Sequence, residues 1–186
     1  MKTVWISIRM LATLSVLTGL IYPLMMTGVA QWFFPHQANG SMIMEHDSTV
    51  GSALVGQAFN SDRYFWPRPS AVGYKPLPSG GTNLGPTAAS LRDSVAARAA
   101  RFGTPVAQVP SDLLEASGSG LDPHISPEAA LFQIDRILEA RAQAVTKRSD
   151  LETLVRSHTE SPQFGLLGEP RVNVLELNLA LDSLIH

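Results

Sequence analysis

The chain has no cysteine among its 186 residues. Disulfides, zinc-thiolate centres and thiol nucleophiles are excluded together, so any domain must be stabilised by packing. A marked excess of one sign of charge is equally missing, with 14 Lys and Arg scattered against 16 Asp and Glu for a formal net charge of −2. Nucleic-acid binding needs a basic stripe that neutralises phosphates, so DNA and RNA are set aside as partners. There is no internal repeat and no low-complexity tail, and the 5 histidines are dispersed. Only one apolar run reaches membrane length. A single span cannot enclose a pore.

That run, Met10 to Pro35, holds no charged residue. About 25 residues at 1.5 Å rise reach roughly 38 Å, enough to cross a bilayer's hydrocarbon with some tilt. Trp5 and the Trp32-Phe33-Phe34 cluster would lie about 40 Å apart along the helix, matching two aromatic belts. Lys2 and Arg9 precede the run, whereas Gln31 to Asp47 contains no Lys or Arg, which places the N-terminus in the cytoplasm by the positive-inside rule. Residues 1–9 are therefore expected in the cytoplasm, 10–35 in the membrane, and 36–186 outside as a periplasmic domain. Gly28-Val29-Ala30 loosely matches a signal cleavage site, but an apolar core of this length exceeds the ~7–15 residues of a signal peptide, which favours a retained anchor. Gly19 and Pro23 within the span, with Thr13, Ser15 and Thr18, suit a helix that packs on protein.

The outer part is one domain, long enough to bury a core. Ser41-Met42-Ile43-Met44 and Ala53-Leu54-Val55 read as short strands or a loose hairpin. Pro86 is placed as the first residue of a helix whose Leu91, Val95, Ala99 and Phe102 share a face and which stops at Gly103. Ser126-Pro127-Glu128 is a strong helix opening, followed by a stripe at Leu131, Ile134, Leu138 and Ala142. Ser149 and Glu152 match a capping box for a third helix carrying Leu151, Leu154 and Val155. Val172 to Ile185 alternates like a strand, yet Asn173 with Glu176 forms an N-cap pair and Leu177, Leu181 and Leu184 line a helical face, which favours helix. The fold class is α+β: one transmembrane helix, then a mostly helical domain with a few short strands.

Three loops hold the polar residues with chemical potential. Tyr64-Phe65-Trp66-Pro67-Arg68-Pro69-Ser70 either presents a ring surface with Arg68 or buries its rings while Arg68 ties the loop to carbonyls; burial is the favoured reading. Ser79 to Pro86, with Asn83, looks like a phosphate cradle but lacks a following Gly-Lys-Ser/Thr, so a turn explains it better. Ser117-Gly118-Ser119-Gly120-Leu121-Asp122-Pro123-His124 gathers two hydroxyls, a carboxylate and an imidazole. Neither serine sits in a Gly-x-Ser-x-Gly elbow, and triads usually assemble from distant segments, so a membrane-anchored hydrolase using Ser117 or Ser119 with Asp122 and His124 is the weaker alternative. Asp122 and His124 have no third ligand nearby to make a metal site. His36, His46, His158 and His186 are isolated and expected in solvent.

Taken together, the strings Gly51-Ser52-Ala53-Leu54-Val55-Gly56-Gln57, Tyr64-Phe65 with Arg68-Pro69-Ser70-Ala71, Ser79 to Thr87, Ser117 to Ala130 and Gly168-Glu169-Pro170-Arg171-Val172-Asn173-Val174-Leu175-Glu176-Leu177-Asn178-Leu179, behind the single N-terminal apolar run, resemble the C-subunit family of the Kdp-type potassium-transporting ATPases. The resemblance implies an accessory subunit beside a channel-like potassium-binding subunit, a P-type ATPase subunit and a small single-span subunit in the bacterial inner membrane. Potassium would be the ion the complex transports, and ATP would act through the ATPase subunit, whose nucleotide affinity the family is described as raising. The chain has no Asp-Lys-Thr-Gly phosphorylation string, so it is not itself the phosphorylated pump. No catalytic residue and no metal site are expected in this chain, and no residue is assigned to binding a cofactor. Arg68, Ser70, Asn83, Ser117, Ser119, Asp122, His124 and Asn173 are the candidates for a partner interface or an internal scaffold.

Overall fold

The computed structural model describes residues 2–45, 47–141 and 147–184. They form two compact units, one ending at Val50 and one beginning at Gly51.

In the first unit helical backbone runs from Lys2 to Phe33. It comprises α1 (Lys2–Val16), a π-helical turn over Leu17–Ile21, and α2 (Tyr22–Phe33). The wide turn sits just before Pro23, which has no N–H for the helical ladder, and Tyr22 N–H reaches back to the Leu17 carbonyl. Such a local π adjustment rearranges the ladder around a proline. Thr13, Thr18 and Thr27 each donate to the carbonyl four residues earlier, so their hydroxyls need no water. None of the residues of α1 or α2 is buried by the rest of the described chain. Short helix α3 (Pro35–Ala38) follows, then β1 (Met42–Glu45) paired with β2 (Ser48–Ser52). The expected strand at Ala53-Leu54-Val55 is displaced: Leu54 N–H bonds the Ser52 hydroxyl in a turn. This hairpin is mostly exposed, so burial does not select apolar residues for it.

The second unit is mostly helical, with a small antiparallel sheet, as the α+β expectation required. Its helices are α4 (Ala89–Ala100), α5 (Ser111–Leu114), α6 (Pro127–Phe132), α7 (Ile134–Ala140), α8 (Arg148–Ser157) and α9 (Val174–Ser183). Strands β3 (His124–Ile125), β4 (Thr159–Glu160) and β5 (Arg171–Asn173) take the order β3-β5-β4. Ile125 pairs with Val172 and Thr159 with Val172, while His124 pairs with Asn173 and Glu160 with Arg171. By the two-residue period of strands, Ile125 and Val172 face the core and His124, Glu160 and Arg171 share the other face. The core joins Phe65, Ile125, Ile134, Ile137, Leu151, Val155, Val172, Leu177 and Leu181.

Local signals placed the helix starts unevenly. Ser126 caps α6 by accepting from Ala129 N–H at 3.1 Å, with Pro127 first in the helix, as expected. The continuous helix expected through Leu138 breaks at Gln133, and Ile134 and Ile137 carry the buried stripe while Leu131 and Leu138 only flank it. Ala142 lies outside the described residues, as do His46, Ile185 and His186. Helix α4 starts three residues later than expected, because Ala88 N–H closes a turn on Gly85 O and leaves Pro86 outside. In α8 the capping acid is Asp150, which accepts from Lys147 N–H at 3.0 Å. The Ser149–Glu152 box is therefore incorrect: Glu152 instead meets Arg148 one turn away at 2.8 Å. The ambiguous run near Val172 is both structures in succession, since Asn173 ends β5 and caps α9 through Leu175 and Glu176 N–H.

Candidate functional site

The segment from Tyr64 to Tyr74 has no regular structure, yet its residues 65–67 are buried in the second unit. Phe65 and Trp66 are buried, as the core reading of these rings expected. Their backbone groups cannot find a ladder there, and side-chain amides replace one. Asn178 Oδ1 accepts from Phe65 N–H at 2.8 Å and its Nδ2 donates to Phe65 O at 3.0 Å. Gln133 does the same for Trp66, at 2.7 and 3.1 Å. The Trp66 ring is covered by two guanidinium groups, Arg101 at 4.2 Å and Arg136 at 3.8 Å from its centroid. Burial pulls the Arg136 pKa down to about 10, leaving it a cation at neutral pH.

With the backbone pinned at residues 65 and 66, Arg68 projects onto the glycine-rich loop. Its Nη1 lies 3.1 Å from Asp122 Oδ2, so it makes an ion pair rather than the carbonyl bonds expected of it. The other carboxylate oxygen of Asp122 accepts from His124 N–H at 3.0 Å, and the His124 ring Nδ1 stands 3.7 Å away. Burial alone would push the Asp122 carboxyl up, but its contacts with the ring and amide of His124 and with Arg68 outweigh this and hold it below the ordinary value. Ser70 fastens the same two loops: its hydroxyl donates to Gly120 O at 2.6 Å and accepts from Val72 and Tyr74 N–H. Ser117 is buried, with its N–H on Pro69 O at 3.0 Å.

Arg68, Asp122 and His124 open onto a cleft of about 960 Å³. Its other wall comes from β4, β5 and the connection between them and includes Glu160, Glu169 and Arg171. Glu160 and Arg171 pair at 2.8 Å. Of the residues singled out from sequence, the fold thus joins Arg68, Asp122 and His124 in one site, with Ser70 and Ser117 behind them. Ser119 is exposed and its hydroxyl accepts from Leu121 N–H. No hydrogen bond links His124 to Ser117 or Ser119 among the described residues. Asn83 sits apart on an exposed irregular stretch at φ 54°. Asn173, beyond capping α9, donates to Ala53 O at 2.8 Å. His158 departs from expectation, being half-buried with Nδ1 3.0 Å from Leu154 O at the end of α8, whereas His36 is exposed.

The family model described as K+-transporting ATPase, c chain (KdpC), matches residues 4–183. The chain belongs to this family. It is 49% identical over 191 residues to the potassium-transporting ATPase KdpC subunit of Geobacter sulfurreducens, covering 100% of both chains. The KdpC subunit of Geobacter metallireducens is 50% identical over 184 residues, 96% of each chain, and that of Sorangium cellulosum 51% over 181 residues, 94% of each. Membership makes the chain a subunit of a potassium-transporting ATPase, with potassium the ion its complex moves. The loop network around Asp122 has the character of a clamp: Arg68 on Asp122, Ser70 on Gly120 and Ser117 N–H on Pro69 O tie the irregular segment to the glycine-rich loop.

Gln133, Asn178 and Arg136 do more to build the site than most residues singled out from sequence. A signal for two of them was present: Asn178 lies one turn from Leu181 and Val174 in a leucine-rich helix, and Gln133 stands between the apolar run Ala129-Ala130-Leu131-Phe132 and Ile134. A polar residue on a core stripe needs a buried partner.

Proposed function

We propose that this chain is the non-catalytic accessory subunit of a high-affinity, ATP-driven potassium uptake pump, required for its assembly and stability. The family match over residues 4–183 carries the reading. Its partners are a channel-like potassium-binding subunit, a P-type ATPase subunit and a small single-span subunit. The apolar helix Lys2–Phe33 anchors it in the inner membrane, with residues 1–9 cytoplasmic and residues 36–186 a periplasmic domain resting on the channel-like subunit near the ion entrance. The charge asymmetry around the helix supports this orientation.

Nucleotide is cytoplasmic whereas the domain of residues 36–186 lies on the opposite side of the membrane in this reading, so the chain raises the ATP affinity of the ATPase subunit indirectly. Helix packing in the membrane then biases a conformational equilibrium shared by the subunits. The test is affinity purification of the tagged, detergent-extracted chain, with potassium-stimulated ATPase measured with and without it. Stoichiometric recovery of the other subunits and loss of activity on its removal are expected; a complex that assembles and transports normally without this chain would refute the reading.

A further inference from the structure

The connection between β4 and β5 turns its apolar side chains outward. Phe164 is 91% exposed and Leu166 86%, with Leu167 exposed beside them. The loop is nonetheless built. Gln163 and Leu167 exchange N–H···O=C bonds at 2.9 and 3.0 Å, and Gly165 N–H on Pro162 O closes the tip at 2.9 Å. Phe164 and Gly165 hold left-handed backbone at φ 55° and 74°. For phenylalanine that conformation is costly, so the hydrogen bonds must impose it.

We infer that this Gln163–Leu167 finger is a docking element for another protein subunit of the ATPase, its occupant an apolar socket with a basic rim. The inference rests on the assembly reading above and adds the surface that reading lacks. Charge separates a protein socket from a lipid surface. No charged residue lies between Glu160 and Glu169, and the nearest cation, Arg171, is paired with Glu160 at 2.8 Å. The adjoining cleft sets Asp112, Asp122, Glu160 and Glu169 against Arg68 and Arg171, four acids to two arginines. Anionic headgroups would be repelled by that surface, whereas a basic rim complements it. An exposed apolar centre beside a charged edge is also the anatomy of a protein interface.

The full-length Phe164→Ser/Leu166→Ser chain is expected to keep its thermal unfolding midpoint, because both side chains are exposed. Co-purification of the other subunits should fall about tenfold or more, as for truncated interface anchors. Undiminished co-purification would overturn the inference and leave the assembly reading standing. Failure of the unaltered chain to recover any subunit would sink the assembly reading, and this inference with it. The chain has no cysteine, so Phe164→Cys carries one environment-sensitive fluorophore at a unique site. A blue shift confined to the assembled complex supports the socket. A blue shift of the chain alone in vesicles containing phosphatidylglycerol would instead make the finger a lipid contact and overturn the inference.

Discussion

Asn178 grips both backbone polar atoms of Phe65, its Oδ1 2.8 Å from the amide and its Nδ2 3.0 Å from the carbonyl. The two residues are 113 positions apart, and Asn178 is only 2% exposed. The last helix thereby fixes the irregular segment that carries Arg68 to the cleft.

Replacing Asn178 by Ala strands a buried N–H and a buried carbonyl at once. The expected loss is about 2–4 kcal/mol of stability, from two unmade hydrogen bonds and a small cavity. Thermal or urea unfolding of the variant checks it; a change within about 0.5 kcal/mol, as for surface positions, would contradict the clasp.

Asp122 makes the domain sensitive to acid. Its folded pKa lies below the ordinary 3.8, so its contribution is present above that value and lost as pH falls through the folded one. Asp122→Asn is expected to lower the unfolding midpoint at pH 6, with the gap from the unaltered chain narrowing as pH drops below the ordinary value. Parallel melting curves from pH 6 downward measure this.

Tyr74 has the opposite dependence. Burial pushes its hydroxyl up to about 12 from 10.0, against the smaller pull of Arg101 and Arg98. Its contribution is therefore complete below pH 10 and lost as pH rises through about 12. Tyr74→Phe also removes the 2.7 Å bond to Arg68 O, costing about 1 kcal/mol at neutral pH. The variant should be the less stable protein at pH 8, with the difference closing in strong alkali.

Gly120 and Gly118 separate space from mere loop position. Gly120 has φ +70°, and a Cβ there would come within 2.7 Å of Gly80 O and of a Val72 methyl. Gly120→Ala is expected to cost about 1–3 kcal/mol. Gly118, with no atom within 4 Å of a built Cβ, should accept alanine within about 0.5 kcal/mol. Equal melting points for the two variants would refute the close approach.

The parts legible beforehand share one property: their cause lies within a few residues. An uncharged apolar run specifies by its length a helix able to cross a membrane, and Ser126 and Asn173 cap helices through N–H groups two or three residues on. Where two local choices competed, spacing did not decide. Asp150 rather than Glu152 caps α8, and the run at Val172 serves β5 before it enters α9.

By itself, then, the sequence determined one apolar helix, a cysteine-free mostly helical domain, and the family. Tertiary structure alone decided that Arg68 meets Asp122, that Gln133 and Asn178 hold Phe65 and Trp66, and that Phe164 and Leu166 stay uncovered. The physical reason is range: caps and spans act along the chain, whereas a buried amide's partner and a ring's exposure depend on which distant segments come to lie beside them.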